Sequence, residues 1–223
     1  MRRAAVNLTL LVLLLLAPAA AAAPLRILAF GDSLTAGYGL AAPEGFTARL
    51  QAALAAKGIG AEVINGGVSG DTTAGGLARL GWSLADRPDL VILELGANDA
   101  LRGLDPAATK ANLAAMLEQL RAAHLPVVLA GMRAPPNLGR DFAAAFDRIY
   151  PELAAQFAVP LYPFFLDGVA VDPRLTQPDG LHPNPAGVDV IVERLLPTLL
   201  PVIAALPRGG AGQAAQPGQE AQP

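Results

Sequence analysis

Serine and histidine set what chemistry this chain can attempt, and both are scarce. The 223-residue sequence has three serines (Ser33, Ser69 and Ser83), two histidines (His124 and His182) and no cysteine. One histidine stands three residues after an aspartate in a tight turn, Pro178-Asp179-Gly180-Leu181-His182-Pro183-Asn184-Pro185. That spacing lets a carboxylate face one ring nitrogen and leaves the other free to take a proton. A turn followed by a helix, with Asn184 as cap and Pro185 in the first helical position, explains the last residues of the segment. It does not explain Asp179 or His182. His124 needs no chemical role, because it stands at a helix end where the negative dipole favours it.

A histidine base needs a hydroxyl to deprotonate. Ser33 sits in Gly31-Asp32-Ser33-Leu34-Thr35-Ala36-Gly37. Thr35 rules out a G-x-S-x-G elbow, and no Gly-Lys-Ser/Thr follows to make a phosphate loop. Alone, the segment reads as a turn with Ser33 capping a helix. Its chemical reading is a serine at a helix start whose N–H can face an anion. Ser69 is the fallback nucleophile, and Ser83 falls within a helix. Two further loops offer donors. Asn65-Gly66-Gly67-Val68-Ser69-Gly70-Asp71-Thr72 has glycine N–H groups that no side chain shields, Gly70 first and Gly67 second. Gly96-Ala97-Asn98-Asp99 offers the Asn98 amide, with Asp99 fixing the loop. Each loop also reads as an ordinary turn.

The elements that must position these groups alternate. Strands are expected at residues 25–30, 62–65, 89–95, 126–130 and 159–162. Helices are expected at 44–57, from a cap at Asp71 or Thr72 to about 84, and at 106–124, 141–157 and 184–200. Near-continuous apolar strands separated by helices predict βαβ units and a mostly parallel sheet covered on both faces. Ligands of such sheets bind beyond the carboxyl ends of the strands, which is where the four candidate segments fall.

Composition narrows the functional class. With 53% hydrophobic residues a core is affordable, and zero cysteines exclude disulfides and thiolate metal sites. Two histidines make a histidine zinc site a poor expectation. No basic patch accompanies the net charge of −3, so nucleic acid is not an expected partner. Met1-Arg2-Arg3, an apolar run over 8–16 and a string of alanines describe a signal peptide over 1–23, cleaved at about Ala21 or Ala22. The expected domain is 24–207. Residues 208–223 read as a disordered Gly/Ala/Gln/Pro tail. The product is expected to be periplasmic or secreted, monomeric and without a lasting membrane anchor.

Together the segments GDSLTAGYG, VSGDT, GAND and DGLH resemble, in order and spacing, the four blocks of the GDSL or SGNH hydrolase superfamily. Supporting stretches such as LVILELGANDALRG resemble its arylesterase, thioesterase I and lysophospholipase L1 group. The resemblance covers residues 25 to 200. It implies a flavodoxin-like three-layer α/β/α sandwich with a mostly parallel five-stranded sheet. It also implies a Ser33–His182–Asp179 triad and an oxyanion hole of Ser33, Gly70 and Asn98, with no cofactor or metal. The implied substrates are small acyl or aryl esters, and possible acyl thioesters and lysophospholipids follow from the resemblance alone. Candidate substrate contacts are Asp32 and Leu34 beside the serine, and Asn137 and Leu138 in the loop 132–139, read either as lining the acyl site or as a surface connection. Two rival functions stay open: a carbohydrate O-acetylesterase on the same fold, and a non-catalytic periplasmic binding module.

Overall fold

In the computed structural model, residues 23–207 are described. The expected tail, and all of the expected leader but Ala23, lie outside them. Five strands form one sheet: β1 (Leu25–Gly31), β2 (Ala61–Gly67), β3 (Leu90–Glu94), β4 (Val127–Ala130) and β5 (Leu161–Tyr162). Every pairing is parallel and the order is β2-β1-β3-β4-β5. The chain winds outward in one direction through β2 and in the other through β3 to β5. The topological switch point, where ligands of such sheets bind, therefore lies between β1 and β3.

Eight helices connect the strands among the described residues: α1 (Ser33–Ala36), α2 (Phe46–Ala56), α3 (Thr73–Ser83), α4 (Ala97–Leu101), α5 (Pro106–Ala122), α6 (Arg140–Asp147), α7 (Ile149–Phe157) and α8 (Pro185–Ala205). On one side α2 packs with α8; on the other α5 packs with α3 and α7. The result is the expected three-layer α/β/α sandwich. Strand β3 is buried along its whole length, as a strand covered on both faces must be. None of the described helices is long and apolar enough to cross a membrane.

Four differences from the sequence-based expectations have local causes. The helix expected over 141–157 is two helices meeting at Arg148. Pro151 has no N–H to return to the Asp147 carbonyl, and it is tolerated only because α7 restarts there. Helix α8 instead runs past its expected end at 200 to Ala205, through Pro197 and Pro201. Both prolines are exposed, while Ile191, Leu195 and Leu199 bury the opposite face. Ser33 does not cap α1; it is the first helical residue. The cap is Asp32, whose Oδ1 accepts the Leu34 N–H at 3.0 Å. His124 lies beyond α5 with φ 55°. Two helix starts match the expectation: Thr72 caps α3 and Asn184 caps α8, the latter with Pro185 following.

Candidate active site

The loops after β1 and before α8 meet at Ser33 and His182. Ser33 Oγ lies 2.9 Å from His182 Nε2, and His182 Nδ1 lies 2.6 Å from Asp179 Oδ2. The other Asp179 oxygen accepts the N–H of Leu181 at 2.9 Å and of His182 at 3.0 Å. One carboxylate thus folds the turn and orients the ring. The His182 hydrogen bond and those two backbone N–H groups hold the Asp179 carboxyl down to about 2. Its negative charge stabilises an imidazolium, and the free edge of the ring faces a half-buried hydroxyl. This is the geometry of a nucleophile activated by a general base.

Two residues the sequence reading missed hold the imidazole in place. The Tyr38 ring packs on it with centroids 4.6 Å apart at 37°. Gln177 Nε2 donates to the Tyr38 carbonyl at 2.8 Å and to the Pro183 carbonyl at 3.0 Å, and the Gln177 N–H donates to the His182 carbonyl at 2.7 Å. Gln177 thereby ties the histidine turn to the segment after Ser33. A polar residue two positions before Asp179 was the only sequence signal for this.

The donor loops converge on the same edge. Gly70 is exposed, with φ +83°, a conformation glycine adopts without strain. Among the described residues no acceptor takes its N–H, while its carbonyl accepts from Arg102 at 2.8 Å. Gly67, the second choice, is structural: it ends β2, its N–H donates to Asn65 Oδ1, and a Cβ there would overlap Ala36. Asn98 Nδ2 donates to the Asp71 carbonyl at 2.9 Å and to Asp32 Oδ2 at 3.2 Å. Its amide therefore bridges the neighbour of Gly70 and the neighbour of Ser33. Asp99 fixes this loop, accepting from the Thr73 N–H at 2.8 Å and from the Thr73 and Thr109 hydroxyls. Arg79, also unforeseen, clasps Asp71 at 2.7 Å and the carbonyls of Gly66 and Gly31 at 2.8 Å, with its guanidinium over Phe30.

Two expected substrate contacts are corrected. Asp32 is fully buried and Leu34 is 6% exposed, so neither side chain can meet a substrate. Asp32 lies beneath the serine turn, and Leu34 belongs to the core. Beside Asp32 lies Glu94, the last residue of β3, also fully buried. Glu94 Oε2 accepts the Thr35 hydroxyl at 2.7 Å and the Asp32 N–H at 3.3 Å. Gly31 makes this approach possible, since a Cβ there would overlap both Thr35 Oγ1 and Glu94 Oε2. Burial raises Asp32 to about 6, against the lowering pull of its Leu34 and Asn98 hydrogen bonds and of His182. Burial and the adjacent Asp32 charge push Glu94 well above the usual carboxylate range. Asn137 is exposed and Leu138 half-buried on a short 3-10 turn, Pro136–Leu138, after β4. No described hydrogen bond joins them to Ser33 or His182. Among the described residues no three His, Asp or Glu side chains gather as a metal site.

Comparison with known proteins identifies the family of the chain. The profile of the GDSL-like Lipase/Acylhydrolase family matches residues 29–190. Esterase TesA of Pseudomonas aeruginosa is 45% identical over 194 residues, spanning 86% of this chain and 96% of that protein. Thioesterase 1/protease 1/lysophospholipase L1 of Escherichia coli K12 is 40% identical over 198 residues, 88% of this chain and 93% of that one. The crystal structure of AlinE4, an SGNH-hydrolase family esterase, superposes with a TM-score of 0.69 at 49% identity, covering 83% of this chain and 98% of that chain. The family match begins inside β1, ends inside α8 and takes in all four loops of the site, and on that extent the chain belongs to the GDSL-like lipase/acylhydrolase family.

Proposed function

We propose that this protein is a serine esterase that hydrolyses carboxylic esters of acyl and aryl groups through an acyl-enzyme. The observation that carries the reading is the unbroken run of hydrogen bonds from Ser33 Oγ through His182 to Asp179. In the first step Ser33 Oγ bonds to the ester carbonyl carbon and its proton passes to His182 Nε2. The carbonyl π pair moves onto oxygen. Collapse of that intermediate breaks the bond to the departing alcohol or thiol, which takes the proton from His182. Water then repeats the sequence on the acyl-serine and releases the acid.

The oxyanion is assigned to the N–H groups of Ser33 and Gly70 and to the Asn98 amide. The first two have no acceptor among the described residues. Asn98 has two, and the longer contact, 3.2 Å to Asp32 Oδ2, is the one an oxyanion would replace. An apolar substrate is supported by three large side chains exposed on the loops of Ser33, Gly70 and His182: Tyr38 at 53%, Val68 at 45% and Leu181 at 50%. They favour acyl and aryl groups over acetylated sugars. The likeness to thioesterase 1/lysophospholipase L1 extends the reading to acyl thioesters and lysophospholipids. Asn137 and Leu138 are assigned to the border of the acyl site. Export to the periplasm or beyond belongs to the same reading, supported by the charged, apolar and small-residue order of residues 1–23.

The test pairs p-nitrophenyl butyrate hydrolysis with labelling by a fluorophosphonate. The wild type reacts with both, and folded Ser33→Ala loses labelling and at least about 10³ in turnover. Turnover at the wild-type level in that variant would end the proposal.

A further inference from the structure

Glu94 has no part in the proton relay or in the oxyanion hole, yet it lies directly under the turn that carries Ser33. It is fully buried, and its Oε1 has no hydrogen-bond partner among the described residues. An unpaired buried carboxyl oxygen is costly. Replacing it with an apolar side chain would remove that cost, so its chemistry should serve something besides packing. Its other oxygen accepts from the backbone of Asp32 and the hydroxyl of Thr35, the residues on either side of Ser33 and Leu34. Asp32 in turn reaches Asn98. The contacts thus run from β3 to the serine turn and back to the loop that leaves β3.

We propose that Glu94 is a positioning residue, acting through Asp32 to set the orientation of the Asn98 amide and hence the strength of the oxyanion hole. The claim rests on the esterase reading above. Burial and the adjacent Asp32 charge favour the protonated form of Glu94. Asp32 is the better seat for the pair's negative charge, because the Leu34 N–H and the Asn98 amide donate to it while Glu94 Oε1 has no donor among the described residues. Asp32 is then the acceptor that holds Asn98 poised in the resting site, and Glu94 fixes where that acceptor stands. A remote group that orients a transition-state donor acts on turnover more than on ground-state binding.

The test is a double-mutant cycle on p-nitrophenyl butyrate. Glu94→Leu should lower kcat by about 10- to 100-fold with KM changed less than about threefold. In an Asn98→Ala background the same change should cost less than about twofold, because the donor it orients is gone. Glu94→Gln, which keeps an acceptor for Asp32 and Thr35, should recover most of the loss. Should Glu94→Leu not fold, Thr35→Val withdraws the hydroxyl that donates to Glu94 and reads the same cycle. Full additivity with Asn98→Ala, or a loss borne by KM, would overturn the inference and leave the esterase reading standing. An inactive wild type would overturn the esterase reading itself.

Discussion

Ser33 Oγ and His182 Nε2 stand 2.9 Å apart although 149 positions separate them in the chain. Neither group owes its place to the other. The serine is fixed from below, by Asp32, Thr35 and Glu94 at the ends of β1 and β3. The histidine is fixed from the side, by Asp179, Gln177 and the Tyr38 ring. Their meeting follows from the strand order, which brings the end of β1 to the switch point, and from α8, whose capped start holds the histidine turn against α1.

Asp179→Asn should lower kcat by about 10³–10⁴. The amide fills the same space, and its oxygen can still receive the Leu181 and His182 N–H groups. Its NH₂ would face His182 Nδ1, driving the ring proton to Nε2, where it can no longer accept from Ser33. Because Asp179 is held down to about 2, it stays ionised well below neutrality. Its contribution is complete above the ordinary carboxylate range and fades only as the pH falls toward about 2. Asp179 itself should therefore add no step to the wild-type rate profile between about pH 5 and about pH 9. Initial rates from about pH 5 to about pH 9 check this, and an Asn variant with wild-type kcat would refute the orienting role.

Gln177→Ala should lower kcat by roughly tenfold and leave KM nearly unchanged. The side chain touches no reacting atom. It holds the Tyr38 and Pro183 carbonyls together, and with them the ring that packs on His182. Steady-state kinetics beside a melting curve separate this from unfolding: an unchanged melting temperature with reduced kcat is the expected pair.

What the sequence revealed of this site was whatever a strand end reveals. Ser33, Gly70, Asn98 and the Asp179–His182 pair each follow a strand or precede a helix, so local spacing exposed them. Thr72, Asn184 and Pro185 were legible for the same reason, since a helix start is written within four residues. Arg79 was not legible, because its carbonyl partners at Gly31 and Gly66 lie 48 and 13 positions away and become neighbours only when β1 pairs with β2. Asp32 misled for a related reason. Beside the candidate serine an aspartate looks exposed, and only the adjacency of β1 and β3 buries it against Glu94. The break at Arg148 was written locally, in Pro151, whereas the extension of α8 past two prolines turned on which face of that helix is buried, a property of packing and not of the local pattern.

Leu138→Ala should shift chain-length preference. Leu138 is half-buried on the turn after β4, and the proposed function sets it at the border of the acyl chain. Trimming it should lower kcat/KM for p-nitrophenyl dodecanoate relative to butyrate by about 3- to 10-fold, the scale of one or two buried methylenes. An unchanged ratio would remove this turn from the acyl site.

The buried acids should also appear in stability. Asp32 is raised to about 6 and Glu94 well above the usual carboxylate range, both mainly by burial. Between the unfolded carboxylate range and those values the folded chain holds protons that the unfolded chain has released. The contribution of these two acids to stability is then greatest in mild acid and falls as the pH rises, the reverse of a salt-bridged carboxylate. Asp32 and the buried Tyr150 face Glu94 electrostatically, Tyr150 itself being pushed up chiefly by burial. Neither supplies a positive charge to cancel the effect. Glu94→Gln removes one of the two acids. Its melting temperature should match the wild type near pH 4 and exceed it by roughly 3–6 °C near pH 8, the shift that about 1–2 kcal/mol gives a domain of this size. Calorimetry at the two pH values measures it. A gap that is constant with pH would mean that Glu94 is ionised in the fold, and with it would go the assignment of the pair's single charge to Asp32.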